Sequence, residues 1–299
     1  MWNNYLPNPH FVESFETATG EKFNWDNYLP GYSAMKEKER VVFFLRDGLS
    51  AAEKERMAAY GADMSKYLDS GNEARIKKAY ESRDPRLQMA IITPYAQYNG
   101  ASSGIAHTYT LRWPYRGSDS AEPFDIRTDT NDKFYYLWRK FVPEGLEQTE
   151  RDTYGLDIPL IRYAEVLLLK AEALNEWGST HESEAIRCVN EVRRRAGHVE
   201  LNNATYPATK VNGQSDLRER IRNEYYWEIG GEDSMYFHEL RWGTWKDKKF
   251  DNNRNGLMQM WGETTYTWYW LGDQCWSWPI PAKEMEMNSN LEQNEGWIN

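Results

Sequence analysis

A chain of 299 residues can bury a sizeable core, as one large domain or two small ones. Its net charge of −10, with a pI near 5.2, repels phosphate backbones and argues against nucleic acid as a partner, whereas a neutral polymer such as a glycan meets no such penalty. No apolar run of about 18 residues occurs, so no membrane-spanning helix is predicted; the two cysteines, Cys188 and Cys275, form neither a disulfide framework nor a metal spacing.

From the start, MWNNYLPNPHFVESFE has no basic stretch followed by an apolar one, so it does not read as a signal peptide. Residues 1–35 are rich in Asn, Pro, Gly and aromatics and predict irregular structure with one short helix at Pro9–Thr17. Residues 50–80 are helix-forming, broken near Gly61 and Gly71. RLQMAIITPY (86–95) predicts a strand or extended segment ended by Pro94. Residues 98–157 predict loop, with a strand at KFYYLWRKFV (133–142).

The clearest element starts at Asp157, with Pro159 near the first helical position. Leu160, Ala164, Leu167, Ala171 and Leu174 recur at spacings of four and three, one apolar helical stripe that Gly178 stops. Ser179 and Glu182 predict a capping box for a second helix, whose stripe is Ala185, Val189, Val192 and Ala196 and whose end is Gly197. Two such helices on a short loop predict an antiparallel hairpin like one tetratricopeptide unit, although no second copy recurs at that period. Cys188 falls inside it as a small core residue. A third helix is predicted over Asp216–Ile229, capped by Asp216 and Glu219 and stopped by Gly230 and Gly231. Seven of the 14 Trp then lie between Trp242 and Trp278, and their main role is predicted to be packing.

No HExxH, GxSxG, GxGxxG or Walker loop is present. The five His residues (His10, His107, His181, His198, His238) are scattered and read as structural. DNNRNG (251–256) matches the first half of a calcium loop, but its twelfth position is Gly262 rather than Glu, so it reads as a turn. Glu165, Glu172, Glu224 and Glu228 alternate with Arg162, Arg193, Arg195 and Arg222 on predicted helices, the pattern of ion pairs between packed helices.

Four stretches together resemble the SusD/RagB family of surface glycan-binding lipoproteins: SRDPRL (82–87); IPLIRYAEVLLLKAEALNEWG (158–178) with EAIRCVNEVRRRAG (184–197); RERIRNEYYWEIGGE…ELRWG (218–243); and WPIPAKEMEMNSNLEQNEGW (278–297). Their order and spacing across residues 82–297 make the combination specific. The family's Glu-Gly-x-Arg stands here as Glu232-Asp233-Ser234-Met235, and the Asp after it as His238, so the internal ion pair expected there loses its Arg. Trp278 replaces a Tyr, and Glu295 a Pro. The resemblance implies a mainly α fold with little β: a tetratricopeptide-like helical hairpin at 158–197, a loop-rich part with short helices at 1–157, and a C-terminal helix with Trp-rich loops at 198–299, all one SusD-like region. FVESFETATG resembles a mid-chain segment of the family, so the chain is expected to be roughly the C-terminal half, without the lipoprotein signal, anchoring Cys and most helix pairs of the first half.

By the same resemblance the protein is non-catalytic. It is expected to capture oligo- or polysaccharide at the outer-membrane surface for uptake through a SusC-like TonB-dependent transporter, with membrane attachment only through a lipid anchor that this chain lacks. No cofactor, metal or catalytic residue is expected. Two other readings stand beside it: an all-α glycoside hydrolase or lyase, and a cytosolic tetratricopeptide-type scaffold. Aromatics make up 15% of a chain whose mean hydropathy is −0.85, which suits Trp and Tyr rings placed at wet surfaces. Such rings stack on the apolar faces of sugars at roughly 1 kcal/mol each, while polar neighbours bond the hydroxyls. The predicted glycan-binding rings are Trp25, Tyr28, Tyr98, Trp113 and Tyr115, all in predicted loops. The closing segment, stiffened by Pro279 and Pro281, predicts an ordered strap anchored by Leu291 and a buried Trp297.

Overall fold

The computed structural model describes residues 6–102, 105–117, 122–127, 133–145, 157, 159–232, 234–250 and 256–297. The chain divides into two compact units, residues 1–232 with 258–263, and residues 233–257 with 264–299.

In the first unit, Asn8 caps α1 (Pro9–Ser14) by accepting from the His10 amide, with Pro9 at the first helical position. Two more helices follow, α2 (Glu37–Phe44) and α3 (Ala51–Tyr60), the latter opened by a Ser50/Glu53 capping box. Gly61 (φ +116°) ends α3, and Gly71 (φ +87°) opens α4 (Asn72–Glu81); both backbones lie in the left-handed region that favours glycine, which is why the helical stretch breaks at these two points. The predicted strand at 86–95 is instead the helix α5 (Pro85–Ala90) followed by a two-residue strand, β1 (Ile91–Ile92). Asp84 accepts from the Arg86 amide and Pro85 starts the turn, so an N-terminal cap overrides the strand propensity of the residues behind it.

Strands β2 (Gln97–Ser102) and β3 (Ile105–Thr110) pair antiparallel, with Tyr98 opposite Tyr109 and Gly100 opposite His107. Of the strand predicted at 133–142, only β4 (Leu137–Trp138) forms, antiparallel to β1. Around these elements lies an aromatic core. Trp261 is fully buried between Phe44, Trp113 and Phe134, and Tyr80 meets Tyr136 hydroxyl to hydroxyl at 2.6 Å.

The helical hairpin is α6 (Tyr163–Trp177) and α7 (Glu182–Arg195), and α8 (Gln214–Ile229) packs on it. Helix α6 begins at Tyr163, not beside Pro159, and Leu160 stays exposed; the buried stripe is Leu167, Ala171 and Leu174. The stripe of α7 is buried as predicted, and so is Cys188. The Ser179/Glu182 capping box does not form, because Ser179–His181 is a 3-10 turn and the cap position falls on His181. Asp216 likewise does not cap α8 from inside it; the cap is Gly213, and Asp216 accepts from the Asn212 amide and from Arg220.

The second unit contains α9 (Ser234–Arg241), α10 (Trp245–Phe250), the first two residues of the short strand β5 (Gly256–Met258), β6 (Thr264–Thr267) and α11 (Ala282–Met287). Its aromatics form a chain of ring contacts: Tyr236 to Trp245, Trp245 to Phe250, Phe250 to Trp270, and Trp270 to Trp276. The predicted packing role is complete only for Trp261, which belongs to the first unit; Trp268 and Trp278 are exposed. The closing strap is held by polar bonds. Gln293 bonds both backbone groups of Ile280, Asn294 donates to Trp278 O, and the Trp297 indole donates to Ser277 O at 2.9 Å. Trp297 is half-buried rather than buried, and Leu291 is exposed, so the hydrophobic anchoring expected of both is replaced by backbone capture. Residues 251–255 of the calcium-like DNNRNG turn lie outside the described residues.

Candidate functional site

Three of the five predicted sugar-binding rings are core. Trp25 is 5% exposed, stacked on Tyr32, edge-on to Phe23, Phe44 and Tyr80, with its indole donating to Glu13 at 2.7 Å. Trp113 is also 5% exposed, stacked on Phe134 and tilted against Trp261. Tyr98 is 8% exposed and donates its hydroxyl to Pro143 O. Protein covers these rings, and a loop position had been a poor guide to their accessibility. Tyr28 and Tyr115 are half-buried and keep open surface; Tyr28 bonds Ser82, and Tyr115 donates to Lys133 O.

The structure gathers a different set of residues on the β2–β3 hairpin. A cleft of about 400 Å³ is lined by Gln97, His107, Thr108, Thr110, Arg112 and Phe124, among others. Its floor is aromatic. The His107 imidazole stacks on Phe124 with ring centres 3.9 Å apart, and Tyr109 meets both rings edge-on. The rim carries hydroxyls, an amide and a guanidinium. Gly100 allows this packing, since a Cβ there would lie 2.9 Å from the Tyr109 ring and 3.1 Å from Tyr98.

Asp125 fixes the cleft. Its buried carboxylate takes the Arg112 guanidinium and the amides of Arg116 (2.6 Å) and Gly117 (3.1 Å). The Thr110 amide donates to Phe124 O, and the Ile126 amide to Thr110 O, fastening the Phe124 segment alongside β3. Phe124 is therefore held before any ligand arrives, which lowers the ordering cost of binding. Nothing in the sequence flagged Phe124; the alternation in IAHTYT, which puts His107 and Tyr109 on one face, was the available signal.

A second cleft of about 400 Å³ is lined by Tyr28, Leu29, Pro30, Phe43, Lys66 and Arg75. Of the five predicted rings, Tyr28 is the one that lines either of these two clefts. Of the residues lining the two clefts, Glu122 beside the hairpin is the single carboxylate.

The sequence profile of the SusD family matches residues 1–297. The chain belongs to the SusD family. Over 161 residues it is 28% identical to the starch-binding protein SusD of Bacteroides thetaiotaomicron, covering 54% of this chain and 25% of that protein. Over 139 residues it is 32% identical to SusD-like protein P38 of Formosa agariphila, covering 46% of this chain and 24% of that one. A solved SusD-like protein from Bacteroides fragilis superposes with a TM-score of 0.55 at 20% identity, over 97% of this chain and 47% of its own. A SusD-like carbohydrate-binding protein from the same species gives 0.52 at 22% identity, over 96% and 48%. The chain thus spans about a quarter of the curated relatives and just under half of the solved ones.

The residues that carried the SusD resemblance do not line either cleft. They build a buried ion network. Arg86 pairs with Asp84 and Glu224 at 2.6 Å each; Glu224 also holds Arg193 at 2.9 Å, and Arg193 reaches Glu16 at 2.7 Å. Glu228 takes Arg162 and Arg195. Glu232 pairs with Arg162 and Lys140. Burial opposes the charge on Arg86, yet Glu224 and Asp84 hold its pKa above the ordinary value. Burial likewise works against the Glu16 and Asp84 carboxylates, and their bonds to His198, Arg193 and Arg86 keep both below the usual range. Arg83, from the same SRDPRL motif, lies over the Phe23 ring and forms no ion pair among the described residues, and burial lowers its pKa to about 10.

Proposed function

We propose that the chain is the glycan-binding portion of a surface nutrient-capture protein, which takes up oligo- or polysaccharide without cleaving it. The observation that carries this reading is the hairpin cleft: a pre-set aromatic floor of Phe124 and His107 with a polar rim on which Arg112 is already paired with Asp125. A sugar ring laid on Phe124 buries its C–H face, while polar groups at the edge of the cleft bond the hydroxyls. Tyr28 and Tyr115 are further stacking rings in this proposal. The starch-binding and carbohydrate-binding names of relatives support it.

Hydrolysis of a glycosidic bond needs two carboxylates facing each other at about 5–10 Å. Glu122 is the single carboxylate lining the hairpin cleft, and Asp125 beneath it is spent on Arg112 and two amides. Binding is therefore the better reading. Delivery to a SusC-like TonB-dependent transporter, and a lipid-anchored place at the outer-membrane surface, belong to the same proposal. Among the described residues, no helix is long and apolar enough to cross a membrane.

Calorimetric titration with a panel of neutral oligosaccharides, with reducing ends assayed in parallel, tests it. Binding without release of reducing ends is expected, and binding weakens in Phe124→Ala. Turnover abolished by Glu122→Gln would replace binding with catalysis.

A further inference from the structure

The second cleft differs from the hairpin cleft in charge. Lys66 and Arg75 stand together on its wall, and its six lining residues include no acid. Among the described residues neither cation forms an ion pair. Lys66 Nζ lies 3.5 Å from the Met35 sulfur. Arg75 donates once, to Lys66 O at 2.9 Å, sits 4.7 Å over the Phe43 ring, and leaves its buried Nε without a hydrogen-bond partner. Asp47 is the acid whose charge Arg75 feels, but that carboxylate already caps α4 through the Gly71 and Glu73 amides, at 2.8 and 3.0 Å. Burial pulls the Arg75 pKa below its ordinary value, the mark of a cation short of counter-charge.

Most cations in this protein are spent otherwise. Arg86, Arg162, Arg193 and Arg195 all sit on carboxylates. Two half-buried and unpaired cations beside Tyr28 in a concave site form a receptor for an anionic oxygen group next to an apolar ring face. The chain's net charge of −10 does not cancel this, because exposed charges farther away than about 8 Å are screened at physiological ionic strength. Resting on the glycan-binding reading, we propose that the cleft of Tyr28, Lys66 and Arg75 is a separate subsite for an acidic sugar, with the sugar ring on Tyr28 and its carboxylate or sulfate between Lys66 and Arg75. The full protein then favours glycans that carry negative charge.

Three probes of equal length test this on the full chain by calorimetry: an oligogalacturonate, its methyl ester, and a sulfated galactan oligosaccharide. The expected result is tighter binding of at least one acidic probe than of the neutral ester, by about tenfold, and shrinking with added salt. Preference for the carboxylated or the sulfated probe identifies which anion the site takes. Lys66→Gln, which removes the contact to Met35, should erase most of the preference without changing Tm; Arg75→Gln should erase it too, with a lowered Tm because its bond to Lys66 O and its place over Phe43 are lost. Equal binding of acidic and neutral probes, or a preference that survives both variants, overturns the acidic subsite and leaves the hairpin cleft standing. Failure to bind these probes or any neutral glycan of the panel overturns the glycan reading itself and the subsite with it.

Discussion

The ion network of α5, α7 and α8 and the cleft on the β2–β3 hairpin use the same residue types for opposite ends. In the network, Asp84, Arg86, Arg193 and Glu224 are buried, and every one is satisfied by another protein charge. In the hairpin cleft one such pair, Arg112 with Asp125, holds the frame, and the other polar groups line the cleft without belonging to an ion network. Polar residues that specify the fold are thus those whose bonds are completed internally. Polar residues that can specify a ligand are those whose bonds are not. The network comes from recognisable motifs and the cleft from segments with no motif.

Breaking the network should give the largest effect. Arg86→Met leaves Asp84 and Glu224 buried without their common partner, and loss of one member of a buried pair costs about 3–5 kcal/mol. Urea unfolding should show that loss. A change below about 1 kcal/mol would mean that the network relaxes around the gap and does not organise the helices. Trp113→Ala should be nearly as damaging, at about 3–5 kcal/mol for a buried Trp, because the ring fills space between Phe134 and Trp261. That variant also sharpens the contrast. Trp113 was predicted as a sugar platform, and its replacement should lower Tm while leaving the affinity of the folded fraction unchanged.

Gly100→Ala tests the join between frame and cleft. A methyl 2.9 Å from the Tyr109 ring must push that ring, which is edge-on to Phe124 and His107. Overpacking of this kind costs about 1–3 kcal/mol, and glycan affinity should fall with it. Acid gives a further test of the network. Glu16 and Asp84 have pKa values below those of the unfolded chain, so they contribute stability that is fully present above about pH 5 and drains away as pH falls through their folded values. Unfolding at stepped pH should show that decline, and it should flatten in Arg86→Met, where the Asp84 share is already gone.

What the sequence made legible follows the same division. Helix α7 was readable because its stripe of Ala185, Val189, Val192 and Ala196 has one solution at a 3.6-residue period, and all four are buried. The breaks at Gly61 and Gly71 were readable because the backbone there is left-handed. Helix α5 was misread, since Ile91 and Ile92 outweighed the Asp84–Pro85 start signal; β-propensity is weaker evidence than a cap. Three of the five expected sugar-binding rings, Trp25, Tyr98 and Trp113, are buried for a different reason. Trp25 and Trp113 occur in irregular sequence much as Tyr28 does, and only tertiary packing decides which ring is covered. The Phe124–His107 stack joins residues 17 apart across a loop, a pairing that no local pattern encodes.

Phe124→Ala is the smallest change and the most decisive for the comparison. Phe124 is half-buried, so its removal should cost little stability next to Trp113→Ala. It takes away the floor on which the sugar ring would lie, worth roughly 1 kcal/mol, or about fivefold in Kd. The segment itself should stay in place, because its anchors are backbone bonds to Thr110 and the Asp125 carboxylate, none of which involves the ring. Fivefold weaker glycan binding at an unchanged urea midpoint would separate recognition from folding at this hairpin. An unchanged Kd would move the neutral-sugar site away from β2–β3, and a lowered midpoint would place Phe124 with Trp25 and Trp113 among the rings that build the core.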